Sequence, residues 1–144
     1  MNELADIAHL IQSSVAPVFL LSGVASMLGV LTNRLARIID RARNIEAQLG
    51  AHPGSSEQLR SDLRVLARRA RYVNIAISLC AIAALLVALV VVTLFANAFA
   101  GAGLAWLIAL LFVGSMVCLA GAFIVFFIEV RYATAALRIG AGHI

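Results

Sequence analysis

Three stretches, residues 15–31, 73–95 and 104–128, are as apolar as the interior of a bilayer, and the second and third carry no charged residue. A helix needs about 20 residues to cross a hydrocarbon core of about 30 Å, so each stretch is read as a span. The first is the shortest and contains Ser22 and Ser26; continuing the helix at either end makes up its length. Of the 144 residues 63% are hydrophobic and 12% charged, and the mean hydropathy is +1.03. Soluble domains run about 45–50% apolar and about 25% charged. That gap excludes a soluble enzyme and a disordered tail. Cys80 and Cys118 lie inside apolar runs, where cysteine serves as a small hydrophobe rather than a disulfide staple.

Charge placement sets an orientation, because basic residues beside short loops stay on the cytoplasmic side. All 11 basic residues are arginines. Nine of them, from Arg34 to Arg71, lie between the first and second spans, and Arg131 and Arg138 follow the third. Ahead of the first span stand Glu3 and Asp6, with no arginine. The N-terminus is therefore expected outside, the arginine-rich segment inside, a turn at Gly101-Ala102-Gly103 outside and the C-terminus inside. Trp106, Tyr72 and Tyr132 sit where an interfacial aromatic belt places them. Acids before the apolar stretch and arginines after it are the reverse of a cleavable signal peptide, so the first span is expected to be retained.

Between the first two spans the apolar residues Leu31, Leu35, Ile38, Ala42, Ile45 and Leu49 alternate by four and three, as do Leu59, Leu63, Leu66, Ala70 and Val73. These are two heptad seams. Pro53 and Gly54 break the chain between them, and Ser55 with Gln58 has the spacing of a capping box. The expectation is an antiparallel cytoplasmic hairpin that extends helices 1 and 2. Its nine arginines face four carboxylates, Asp40, Glu46, Glu57 and Asp62. Pairs such as Asp40 with Arg37 or Arg43 are expected to absorb some of the charge. The remainder suits an anionic inner leaflet, where each cation contributes about 1 kcal/mol, a ring of arginines in an oligomer, or an acidic partner. Nucleic acid is not expected, because no aromatic residue interleaves the arginines and no recognition motif is present.

Residues 1–14 alternate polar and apolar positions at helical spacing and read as a short amphipathic helix at the outer face. Pro17 suits either the first turn of the spanning helix or a kink within a longer one. Glu3, Asp6 and His9 lie about a turn apart, which is the ordinary wet face of such a helix, and no metal is expected.

Polar groups inside a span mark a pathway or a helix contact. Ser22, Ser26, Gly29 and Asn33 share one face of the first span, and the face continues into Arg37 and Asp40. One reading is close packing through small residues. The other is a pore lined by copies of this helix, through Ser22, Ser26, Gly29, Asn33 and Arg37. Its outer mouth would carry Glu3 and Asp6, and an inner basic ring or lipid-binding surface would be made by Arg34, Arg41, Arg68, Arg69 and Arg71. Gly114, Cys118 and Gly121 form a small-residue stripe on the third span that suits helix packing, and Glu129 at its inner end is expected to pair with Arg71 or Arg131. The chain has no lysine and hence no P-loop, and no zinc-protease, C-x-x-C or nucleophile-elbow motif. With histidines only at positions 9, 52 and 143, no enzyme and no cofactor are expected.

The words IQSSVAPVFLLSG at 11–23 and LTNRLARIIDRAR at 31–43, with RRARYVN at 68–74 and EVR at 129–131, resemble a family of small bacterial three-span membrane proteins of unknown function. The resemblance covers nearly the whole chain. It implies a bacterial three-span protein, for which an inner (cytoplasmic) membrane location is expected, and it brings no activity and no residue roles.

The expected fold is therefore all-α, a single membrane domain over 1–144: an outer helix at 1–14, spans at 15–33, 73–96 and 104–128, an arginine-rich hairpin at 34–72 and a tail at 129–144. One 15.2 kDa chain with three spans encloses no substrate cavity. The leading expectation is a homo-oligomeric channel for small inorganic ions lined by the first helix. The alternative is a non-conducting scaffold or accessory protein that binds anionic lipid or a cytoplasmic partner through its arginines.

Overall fold

The computed structural model describes residues 2–51, 54 and 56–141, with side chains among these except Ser56 and those from Ala136 onward. The described residues are all-α, with three helices: α1 (Asn2–Ala51), α2 (Ser56–Ala100) and α3 (Ala105–Ala141). All three are long and apolar enough to cross a membrane, which points to a membrane location. The expected break at Pro53 and cap at Ser55 lie outside the described residues.

The helices are uninterrupted for a physical reason: between their ends the only internal proline is Pro17. Residues 2–14 accordingly form the first turns of α1 rather than a separate helix. Pro17 lies inside α1 and is buried, which answers the alternative its position left open. One turn ahead of it, the Ser14 hydroxyl donates to the Ile11 carbonyl at 2.8 Å.

Burial follows a seven-residue repeat. Along α1 the buried positions are Pro17, Val24, Leu31, Ile38 and Ile45. Along α3 they are Ser115, Ala122 and Glu129. Helix α2 buries Leu66, Val73, Ala76, Cys80, Ala83, Val87 and Val90, which from Val73 onward alternate by three and four. A strict repeat of seven is the signature of coiled-coil packing. Helix α2 uses both seam positions of the repeat and is the most enclosed of the three.

The chain divides into two compact units, each taking a part of every helix: unit 1 is Met1–Leu28 with Leu79–Gly121, and unit 2 is Gly29–Ser78 with Ala122–Ile144. In unit 1, α2 and α3 part at residues 101–103. Gly101 and Gly103 have φ of 60° and 62°, a left-handed backbone that a side chain would strain. Asn97 holds the turn from both sides. Its carbonyl accepts the Gly101 N–H at 3.0 Å, and its side-chain Oδ1 accepts the Leu104 N–H at 2.9 Å. Beyond the turn the two helices run antiparallel with glycines at the contact. A Cβ on Gly114 would stand 3.6 Å from Leu86 Cδ1, and one on Gly121 would stand 3.4 Å from Leu79 Cδ1. The small-residue stripe of α3 thus faces α2. Ser115 is fully buried beside it, and its hydroxyl donates to the Phe112 carbonyl at 2.6 Å.

In unit 2, residues 38 and 45 of α1 line clefts with residues 66 and 62 of α2, so these segments also run antiparallel. Leu31, Ile38, Ile45, Leu66 and Val73 from the two heptad seams are buried.

Candidate functional site

Unit 2 closes on Glu129 of α3, whose side chain is 0% exposed. It stands in the buried register of its helix, seven residues past Ala122 and fourteen past Ser115. A bare carboxylate there is prohibitive; burying an ion is tolerable only with charged, hydrogen-bonding partners. Two arginines supply them. Arg69 Nε of α2 donates to Glu129 Oε1 at 3.1 Å. Arg34 Nε of α1 lies 2.6 Å from Oε2, a close ionic contact whose angle falls outside hydrogen-bond geometry. One carboxylate therefore links all three helices of the unit.

The sequence expectation was Arg71 or Arg131 as the partner, and the structure corrects it. Helical register decides the matter: Arg34 and Arg69 each follow a buried seam residue, Leu31 and Leu66, by three positions, which turns both toward α3. Arg71 and Arg131 are exposed, and Arg131 instead lies over the Phe127 ring at 5.8 Å. Aromatic rings of the same unit make two further contacts. The Arg34 guanidinium is 5.5 Å from the Phe126 centroid, and Tyr72 and Tyr132 stack at 6.1 Å with 12° between their planes.

Beside this pair lies a cleft of about 260 Å³ lined by Arg34, Arg37, Ile38, Arg41, Leu66 and Arg69. Arg34, Arg37 and Arg41 come from successive turns of one face of α1, at spacings of three and four. Arg69 comes from α2. The expected pairs of Asp40 with Arg37 or Arg43 do not form; among the described residues, the ion pairs within 4.0 Å are those of Glu129. Of the predicted basic ring, Arg34, Arg41 and Arg69 meet in this cleft together with Arg37, whereas Arg68 and Arg71 do not line it.

The predicted pore face of α1 is exposed at every position. Ser22 and Ser26 lie in unit 1 and Gly29, Asn33 and Arg37 in unit 2, none of them buried against its own chain. A Cβ added at Gly23 or Gly29 would meet nothing within 4 Å. The Ser26 hydroxyl donates to the Ser22 carbonyl at 3.0 Å, so it is satisfied without water. Glu3 and Asp6, also exposed, line a cleft of about 350 Å³ in unit 1 with Ile7, Leu10, Ala98 and Phe99. Among the described residues no three His, Cys, Asp or Glu side chains come together to hold a metal. Cys80 is buried in the α2 seam.

Sequence reasoning missed the Arg34–Glu129–Arg69 link and the burial of Ser115. The signal for both was present in the seven-residue spacing of positions 115, 122 and 129, which runs through an otherwise uniformly apolar helix. Neither a search of curated proteins nor one of solved structures finds a match to the chain. A family model does: residues 14–139 match a protein family of unknown function (DUF2721), and the chain belongs to that family.

Proposed function

We propose that this is a non-enzymatic integral protein of a bacterial inner membrane, N-terminus outside and C-terminus cytoplasmic, which assembles as a homo-oligomer and conducts small ions along the polar face of α1. The observation that supports this reading is the exposure of Ser22, Ser26, Gly29, Asn33 and Arg37 on one face of α1, opposite its buried seam. Polar groups facing hydrocarbon are unfavourable, and copies of the chain meeting on that face would remove them from lipid. On this reading Glu3 and Asp6 gather ions at the outer mouth, Ser22, Ser26 and Asn33 replace hydration contacts, and Arg34, Arg37 and Arg41 control the inner end.

The test is ion flux from liposomes holding purified protein, with K⁺, Na⁺ and Cl⁻ gradients compared. Flux that falls with both Ser26→Leu and Arg37→Ala is the expected result. A folded oligomer that passes no ion at any membrane potential would sink the channel. Ser26→Cys in a chain carrying Cys80→Ala and Cys118→Ala should cross-link between subunits if the face is an intersubunit one.

A second reading, a non-conducting scaffold or accessory protein, is favoured by a separate observation. Among the described residues Arg37 and Arg41 have no carboxylate partner, and with Arg34 and Arg69 they line one cleft. Such a surface suits anionic lipid or an acidic cytoplasmic partner.

A further inference from the structure

The arginine cleft of unit 2 has the makings of a defined binding site rather than a diffuse basic surface. Four arginines line it, three from one face of α1 and one from α2. Glu129 contacts Arg34 and Arg69 through their Nε atoms. That tethers both side chains, Arg69 by a hydrogen bond and Arg34 by an ionic contact, and leaves their terminal nitrogens without a hydrogen-bonded protein acceptor among the described residues. Held from behind in this way, the two side chains meet a ligand with part of their rotamer entropy already lost. Arg37 and Arg41 add two exposed donors. Planar guanidinium forks match the oxygens of a phosphate group, which they bind in bidentate fashion. Ile38 and Leu66 give the cleft an apolar wall; Asp62 does not line it but shares the adjoining cleft with Arg41 and Arg69, within 4.0 Å of neither.

Position along the helices selects the source of the phosphate. Arg34 follows the apolar stretch 15–31 by three residues, and Arg69 precedes the stretch 73–95 by four. A cleft between them lies at the depth of lipid headgroups when those stretches span a bilayer. We propose that the cleft of Arg34, Arg37, Arg41 and Arg69 binds the headgroup phosphate of an acidic phospholipid of the inner leaflet. The inference deepens the second reading above and rests on its membrane orientation; it competes with the first reading for Arg34, Arg37 and Arg41, and lipid binding and ion flux are read out separately.

The experiment follows thermal unfolding of the full chain in a neutral maltoside detergent while dioctanoyl phosphatidylglycerol, dioctanoyl phosphatidylcholine or sodium phosphate is titrated in. Phosphatidylglycerol should stabilise saturably, with the other two weaker by about tenfold or more. The double variant R37Q/R41Q, which spares the Glu129 pair, should raise the phosphatidylglycerol midpoint by about tenfold or more, as loss of two headgroup contacts requires. R60Q/R64Q removes the same charge from the same segment and should change it less than about twofold. Equal weakening by both double variants would show diffuse electrostatics and overturn the site. Phosphatidylcholine matching phosphatidylglycerol would overturn it too, and inorganic phosphate doing so would overturn the lipid assignment. Each double variant is first checked for native helicity and size, and the single variants R37Q and R41Q carry the same test if the double one fails to fold.

Discussion

In unit 1 the residues at the helix contacts are small and uncharged, with Gly114 against Leu86, Gly121 against Leu79, and Cys80, Ala83 and Ser115 buried. In unit 2 the same three helices meet around one carboxylate and two guanidinium groups. The first arrangement depends on close approach, so it is sensitive to added volume and indifferent to charge. The second depends on charge balance in a buried place, so it is sensitive to loss of a partner. A chain in lipid has little hydrophobic drive to bring helices together, and these two units show two different substitutes for it.

The largest effect should come from Glu129→Ala. Breaking a buried ion pair costs about 3–5 kcal/mol when a charge is stranded. Here Arg34 and Arg69 keep 30% and 23% of their side-chain exposure and can turn to water. A loss near the lower end, about 3 kcal/mol, is expected by unfolding in mixed micelles. A loss below about 1 kcal/mol, no more than an ordinary substitution costs, would erase the contrast between the units. Next is Gly121→Leu in unit 1, where overpacking against Leu79 should cost about 2 kcal/mol. If it proves neutral, the glycine contact is not tight. Gly103→Ala places a side chain on a left-handed backbone and should cost about 1 kcal/mol in the same assay. The smallest effects belong to Arg71→Ala and Arg131→Ala, each about 0.5 kcal/mol, since neither touches Glu129. Destabilisation by either that approached Glu129→Ala would restore the pairing that sequence position alone suggested.

The fold was legible wherever hydrophobicity and period agreed. The apolar stretches, the glycine turn at 101–103 and the seam residues Leu31, Ile38, Ile45, Leu66 and Val73 all follow from spacing. The continuity of α1 through Pro17 was not legible, because a proline is compatible with either a first turn or an internal position. The partner of Glu129 was hidden for a different reason. Nearness in sequence favours Arg131, and nearness to the span boundary favours Arg71, but the face of the helix overrules both. Over residues 105–130 of α3 almost every residue is apolar, so the pattern that reveals a face is nearly blank there; Ser115 and Glu129 are the two polar marks of that stretch.

The seven-residue repeat has a consequence for alignment. Seams of similar small and branched side chains can slide past one another by one repeat, about 10 Å, and still find apolar partners. Shifting α3 by seven residues toward the turn at 101–103 would carry Glu129 into the place of Ala122, leaving Arg34 and Arg69 without their carboxylate and the carboxylate facing a seam of alanine and valine. Only one register satisfies all three charges. The carboxylate thus acts as an index mark on a ruler whose other graduations look alike, and in that role it selects a single alignment whatever its net contribution to stability.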